Sequence, residues 1–203
     1  AVHVARDGAV LGWLELADTP RPEAAETLRS LRTLGAQRLV LLTGDRERVA
    51  AEVAGQLGFD DFEAEVLPER KAELVAEEQA AGRRVMMVGD GVNDALALHS
   101  ADVGVAVGAV INEVALGGAD IGLMGNDLKR LPQMVDLANR TRHTINLNVL
   151  VGGGFSIMML TAAAVGLINP MVGALLHNGG AIFVVMNSAR LLVDPVDEPV
   201  AAP

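Results

Sequence analysis

The 203-residue chain contains no cysteine, which excludes disulfides and thiolate metal ligands. It is also short of positive charge. Sixteen Lys and Arg against 26 Asp and Glu give a formal net charge of -10, whereas general nucleic-acid binders need clustered cations to replace the counterions around phosphates. No nucleic-acid partner is expected. Nothing at the amino end resembles a signal peptide: residues 1–16 carry polar side chains throughout and begin without methionine, so the start reads as an internal cut. Aromatic residues make up only 2% of the chain, and residues 144–189 lack Asp, Glu, Lys and Arg altogether. Apolar residues are abundant, at 51%, and this length with that composition allows one medium domain plus a lipid-embedded extra.

The stretch Met87-Val88-Gly89-Asp90-Gly91-Val92-Asn93-Asp94-Ala95-Leu96-Ala97-Leu98 organises the rest. An apolar run at 85–88 stops at Gly-Asp-Gly, and a helix-like pattern begins at Asn93 or Asp94, so two carboxylates sit on a tight turn beyond a buried strand. Open α/β sheets bind ligands outside the carboxyl ends of their strands. Magnesium takes few protein oxygens, and Asp90 and Asp94 could supply them. In the alternative account the glycines only form a turn while Asn93 or Asp94 caps a helix. That account gives Asp90 no task and leaves paired acids to repel each other.

Residues 2–5 and 10–16 read as strands joined by Arg6-Asp7-Gly8, whose Asp-Gly is a hairpin signal. A lone hairpin is marginal, so its sheet is expected to include strands upstream of residue 1. Pro22 suits the first turn of a helix presenting Ala24, Leu28, Leu31 and Leu34 on one side, with Gly35 as its stop. A buried strand at 38–42 ends in Thr43-Gly44-Asp45. A helix follows with Val49, Ala50, Val53 and Leu57 on one face and Gly58 as terminator. Pro68-Glu69-Arg70-Lys71 opens a helix running to about Ala81. Strands at 85–88, 103–107 and 121–124 follow, with a short helix at 112–116. This alternation predicts an α/β fold whose mostly parallel sheet has helices on both faces.

Thr43, Lys71 and the Asp90 turn each sit where a strand ends or a helix starts, which predicts one rim of the sheet. The Thr43 hydroxyl and nearby amides can hold phosphate oxygens, the Lys71 ammonium can neutralise developing charge, and Asp90 can carry a cation. Each has a plain alternative: Thr43 as a strand end, Asp45 as a cap, Lys71 as a solvated charge. Lys71 fits its alternative poorly, because a cation in a first turn opposes the helix dipole and calls for a nearby anion.

A bilayer core about 30 Å thick needs roughly 20 helical residues, so the uncharged region can hold spans at 145–168 and 171–192 turning at Asn169-Pro170. Lys129, Arg130, Arg140, Arg142, His143 and Arg190 flank it, which puts both ends in the cytoplasm by the positive-inside bias. A buried helical pair in a soluble protein is the alternative, but the preceding residues would have to cover its whole apolar surface. Gly152-Gly153-Gly154 suits close helix packing, and Asn148, Ser156, Asn178, Asn187 and Ser188 suit interhelical hydrogen bonds. His177, ionisable at membrane depth, reads either as a ligand for a transported ion or as a histidine satisfied by one interhelical bond.

Together these residues resemble the P-type cation-transporting ATPases, whose phosphorylation domain has the haloacid dehalogenase-like, Rossmann-like fold. The matches are Asp18-Thr19-Pro20-Arg21, Thr43-Gly44-Asp45, Pro68-Glu69-Arg70-Lys71 and Gly89-Asp90-Gly91-Val92-Asn93-Asp94 with Ala97-Leu98. They continue through Ala101-Asp102-Val103-Gly104-Val105-Ala106-Val107-Gly108 and Ala119-Asp120. The ending, two spans closing on Asn187-Ser188-Ala189-Arg190-Leu191-Leu192, is similar to the heavy-metal-transporting branch.

The resemblance implies that Thr43, with Gly44, and Lys71 bind the transferred phosphoryl group. It also implies that Asp90 coordinates Mg2+ with Asp94 beside it, that Asn93 and Asp94 support the site, and that Asp45 lies near ATP. The expected divisions are 1–16 as the end of a nucleotide-binding domain, 17–128 as the phosphorylation domain, 129–144 as a stalk, 145–192 as the hairpin and 193–203 as a cytoplasmic tail. The family's Asp-Lys-Thr-Gly-Thr nucleophile sequence is absent, as are the Cys-Pro-Cys-like segment and the earlier spans. The chain is therefore expected to work with an upstream remainder of the same pump, in a cell membrane, on a transition-metal cation, and to be inactive alone. Where one subgroup has His-Glu-Gly in the last span, this chain has His177-Asn178-Gly179-Gly180. One imidazole suits zinc, copper, nickel or cobalt without choosing among them. A membrane-anchored phosphatase of the same superfamily would need an early Asp-x-Asp, and none is visible. A non-catalytic membrane module is the third reading.

Overall fold

The computed structural model describes residues 2–14, 19–90, 93–108, 117–125 and 127–192. Asp18, Gly91, Val92, the expected helix at 112–116 and the tail at 193–203 lie outside the described residues. The chain divides into two compact units, residues 1–29 with 38–128 and residues 30–37 with 129–203. Helix α1 (Ala24–Thr33) runs across that division.

The first unit opens with β1 (Val2–Arg6) and β2 (Ala9–Leu14), an antiparallel pair. Asp7 and Gly8 between them take φ of 51° and 81°, the positive values that a two-residue hairpin turn of matching twist requires. Strand and helix then alternate as β3 (Val40–Leu42), α2 (Glu47–Leu57), β4 (Asp61–Glu63), α3 (Pro68–Ala80), β5 (Met86–Gly89), α4 (Ala95–Ser100), β6 (Val103–Gly108) and β7 (Ile121–Met124). Pairing in this series is parallel throughout, as expected, but it forms two sheets, β3-β4 and β5-β6-β7, in place of one.

β4 is not anticipated by the apolar pattern, since Asp61-Phe62-Glu63 has one apolar residue; backbone pairing with β3 makes it a strand. On α2 the buried stripe centres on Ala50 and Ala54, with Val53 and Leu57 half-buried. Val49, expected on that face, is turned out to solvent.

Val75, Met87, Ala97, Leu98 and Ala106 make the core cluster, and Leu42, Ala72, Val85, Ala101 and Ala119 pack against it. Leu98 is wholly enclosed, and burying such a side chain contributes about 1.5–3 kcal/mol.

Polar contacts gather at the amino ends of the strands. Arg38 pairs with Asp61 Oδ2 at 2.6 Å and with Glu78 Oε1 at 2.7 Å, and Glu78 also meets Arg83. Asp102 Oδ2 accepts from the Val85 N–H at 2.9 Å and from the Gln79 amide at 3.2 Å, joining α3 to the start of β5. Asp120 Oδ2 accepts from the Gly104 N–H at 2.8 Å at the start of β6.

In the second unit α5 (Arg130–Ala164) is a single helix of 35 residues, so the expected stalk and first span form one continuous element. It ends at Ala164 rather than 168, and Gly166 (φ 77°) turns the chain. Asn169 caps α6 (Pro170–Ala189) by accepting from the Val172 N–H at 2.9 Å, and a 3-10 turn (Arg190–Leu192) follows. Both helices are long and apolar enough to cross a membrane.

Three of the five polar residues proposed to join the helices do so. Asn148 Nδ2 donates to Ser188 Oγ and Asn187 Nδ2 donates to Asn148 Oδ1, each at 2.8 Å. Next along the seam Gly152 lies against Val184, and Gly180 lies so close to the Phe155 ring that a Cβ would stand 3.0 Å from it. Gly153 and Gly154 face open space.

Two outcomes follow from these contacts. Hydrogen bonds between membrane helices contribute about 0.6 kcal/mol each and up to about 1.7 kcal/mol, so Asn148→Leu is expected to destabilise the detergent-solubilised chain by about 1–2 kcal/mol in unfolding followed by circular dichroism. An unchanged midpoint would show that the clasp is idle.

The Asp102 carboxyl is held below the usual range, first by the Val85 N–H, then by Gln79, with Arg84 adding attraction. A carboxyl lowered in the folded state stabilises above its unfolded pKa of about 3.9, and that stability is lost as pH falls through the folded value. Asp102→Asn is therefore expected to remove part of the fall in urea midpoint below about pH 4. An acid limb as steep as that of the unaltered chain would contradict this.

Candidate active site

The carboxyl ends of β3, β4 and β5 carry the residues singled out above. Thr43 prolongs the β3-β4 ladder, its N–H donating to the Glu63 carbonyl at 3.0 Å. The chain then folds over itself. The Thr43 hydroxyl donates to Asp45 Oδ2 at 2.9 Å and accepts from the Asp45 N–H at 3.1 Å. The loop from β4 to α3 is joined to this turn by two backbone bonds, Glu65 N–H to Asp45 O at 2.9 Å and Val66 N–H to Thr43 O at 3.0 Å. Glu65, between them, takes φ of 55°, a left-handed conformation that costs a non-glycine residue about 1–3 kcal/mol.

Pro68 begins α3, where its fixed φ suits the first helical position. Lys71, one turn on, extends its ammonium to Asp94 Oδ1 at 2.6 Å, and the two side chains are only 13% and 12% exposed. Asp94 occupies the cap position of α4 but makes no side-chain cap bond. The anion that a cation in the first turn of α3 calls for is thus in place. Its second oxygen lies over Gly89, the last residue of β5.

Asp90 follows Gly89 and is exposed, as are Gly44, Asp45 and Asn93. Among the described residues no hydrogen bond joins Thr43 or Asp45 to Lys71 or Asp94. The structure brings the residues into two direct contacts, Thr43 with Asp45 and Lys71 with Asp94, linked through the loop that Val66 anchors. Neither Glu65 nor Gly89 is singled out by the sequence, because what marks them is backbone geometry: a positive φ at Glu65 and a close approach at Gly89.

No group of three or more His, Cys, Asp or Glu is gathered among the described residues. A magnesium ion here would rest on one or two carboxylates with water and phosphate oxygens completing its shell, and the exposed Asp90 at a strand end fits that habit. Asp94 has one oxygen already given to Lys71. On α6, His177 is exposed and makes no hydrogen bond among the described residues.

Residues 1–102 match the haloacid dehalogenase-like hydrolase family. Over 93% of its length the chain is 43% identical to a zinc-exporting P-type ATPase of Mycobacterium marinum. Over 92% it is 44% identical to a manganese-exporting P-type ATPase of Mycobacterium leprae. It spans about a quarter of the length of these curated relatives, 26% of each. Among solved structures, a zinc-transporting PIB-type ATPase in the E2.Pi state superposes with a TM-score of 0.82 at 38% identity, over 94% of this chain and 31% of that one. A catalytic CPx-ATPase domain superposes with a TM-score of 0.56 at 30% identity, over 66% of this chain and 52% of that one. The chain belongs to the haloacid dehalogenase-like hydrolase family, and along nearly its whole length it is similar to about a quarter of the length of zinc- and manganese-exporting P-type ATPases.

Proposed function

We propose that this chain supplies the magnesium- and phosphoryl-stabilising site and the final two membrane spans of an ATP-driven heavy-metal cation pump that works through an aspartyl-phosphate. The observation that carries the proposal is the shielded Lys71–Asp94 pair at 2.6 Å, beside the carboxylate of Asp90 at a strand end. A fixed ammonium suits the charge that develops on a transferring phosphoryl group, whose chemistry is mostly positioning and electrostatics.

In this reading residues 17–128 are the phosphorylation domain, on the cytoplasmic side, and 1–16 end a nucleotide-binding domain. Residues 129–144 form a stalk, 145–192 the membrane hairpin, and 193–203 a cytoplasmic tail. The nucleophilic aspartate comes from outside these 203 residues, which contain no Asp-Lys-Thr-Gly-Thr. The division into β3-β4 and β5-β6-β7 leaves β3 and β5 each with one neighbour, so a strand bearing that aspartate fits between them. Its carboxylate would then emerge at the rim where Thr43 and Asp90 stand.

The residues would act in concert. Asp90, with Asp94 adjacent, would hold magnesium, which when bound would supply Lewis-acid charge to the phosphoryl oxygens. Thr43 turns its hydroxyl proton from Asp45 to a phosphoryl oxygen, with the Gly44 amide beside it. Lys71 donates from the opposite side, and Asp94 keeps its ammonium aimed. Asn93 is within reach as a neutral donor, and Asp45 lies toward ATP. The cation carried would be a divalent transition metal of the kind named for the relatives, zinc or manganese, with the His177 imidazole as one donor.

The test uses the full-length pump. Removing one preorganised electrostatic group typically costs about 10²–10³-fold in rate. Lys71→Ala and Asp90→Ala are each expected to lower metal-stimulated phosphoenzyme turnover by about that factor, with Asp90→Ala also raising the magnesium concentration required. Wild-type phosphoenzyme and magnesium dependence in Asp90→Ala would remove its assigned role. Zinc and manganese tested as separate activators show which ion is carried, and stimulation that survives His177→Ala unchanged excludes the imidazole as a ligand.

A further inference from the structure

Gly89 is the last residue of β5 and pairs in register with Ala106 on β6. Its backbone does not call for glycine, because it is absent from the glycines with positive φ. What calls for it is space. A Cβ built on Gly89 would stand 2.9 Å from both Cβ and Cγ of Asp94 and would overlap Asp94 Oδ2. Carbon atoms pack at about 3.5–4.0 Å, so no side chain fits while Asp94 keeps its place.

Asp94 has little room to yield. It is itself buried, its carbonyl accepts the first helical bond of α4 from the Leu98 N–H at 2.8 Å, and Ala97 and Leu98 behind it are completely enclosed. A side chain at position 89 would rotate the Asp94 carboxylate or lift the start of α4. Either movement takes Oδ1 away from the Lys71 ammonium, which it meets at 2.6 Å with both groups largely out of water. We propose that Gly89 is a positioning residue for phosphoryl transfer: the side chain it lacks makes the slot that sets the Asp94 rotamer, and Asp94 in turn aims Lys71. This inference rests on the reading of Lys71 and Asp94 as phosphoryl-stabilising groups.

The test is a double-variant cycle in the full-length pump, with orthovanadate as a mimic of the transferring phosphoryl group. A misplacement of about 1 Å can cost about 100-fold, so Gly89→Ala is expected to weaken vanadate inhibition by about 10–100-fold while the apparent affinity for ATP stays within twofold. Asp94→Gly deletes every atom that the new methyl group would strike. In that background Gly89→Ala is expected to add no further loss, the non-additivity of residues acting through one contact.

Wild-type vanadate sensitivity in Gly89→Ala would overturn the inference, and so would an equal loss in both backgrounds. If Gly89→Ala fails to fold but the double variant folds as Asp94→Gly does, the steric conflict is established directly; if the double variant fails as well, the inference falls. If Asp94→Gly alone leaves vanadate inhibition unchanged, the phosphoryl reading of the pair fails, a result distinct from the failure of Gly89.

Discussion

The shielded ion pair between Lys71 and Asp94 is the contact around which the candidate site is arranged. It joins the first turn of α3 to the entry of α4, over a core cluster in which Val75 represents α3 and Ala97 and Leu98 represent α4. A cation in the first turn of a helix opposes the helix dipole, and a charge largely removed from water is costly without a partner. Asp94 offsets both. Apolar residues in the same space would hold two helices together at least as well. Stability alone therefore does not account for an ammonium and a carboxylate there; the proposed need to present positive charge at a fixed point would.

The two ends of the strands are put to different uses. At the amino ends the carboxylates are engaged: Asp60 accepts the Leu39 N–H, Asp61 and Glu78 hold Arg38, Asp102 holds Val85 and Gln79, and Asp120 holds Gly104. Helices and strands are tied to one another there. At the carboxyl ends lie Thr43, Asp45, Asp90 and Asp94, together with the strained backbone of Glu65 and the side-chain-free Gly89. Strain and close approach persist only where surrounding structure enforces them. The stapled amino ends and the closed core beneath supply that enforcement, so a rigid base carries a rim whose polar groups are held at fixed positions.

Much of this was legible in the sequence because apolar period reports burial. The run at 85–88 and the helix expected after Asp94 appear as β5 and α4, with Gly91 and Val92 between them outside the described residues, and Thr43 and Lys71 stand at the strand and helix ends expected of them. The failures share a cause. β4 exists by virtue of its pairing with β3 and has almost no apolar signal, and Val49 is exposed because Ala50 and Ala54 carry the contact that α2 makes. The polar residues before position 145 and the apolar ones after it belong to one helix, a continuity that the expected boundary at 144 neither required nor excluded. Asp94 was open between cap, cation ligand and support, because one carboxylate can do all three. Only the 2.6 Å approach of Lys71 decides which neighbour takes its Oδ1.

In the proposed pump the helix pair α5 and α6 would follow the same logic of incomplete sites. Its contacts fall along Asn148, Gly152 and Phe155 on α5 and Gly180, Val184, Asn187 and Ser188 on α6, a spacing of three and four residues that winds two helices along one seam. His177 is three residues before Gly180 and so belongs to that stripe by period, yet it is exposed. A single imidazole does not make a metal site; a transition-metal ion needs several donors, and no cluster of three ligand-type side chains forms among the described residues. In the proposed pump the remaining donors would therefore come from other spans, just as the nucleophile would come from another strand. In that reading each place would supply one side of a site, and the exposed His177 imidazole would be open to a donor from a neighbouring helix.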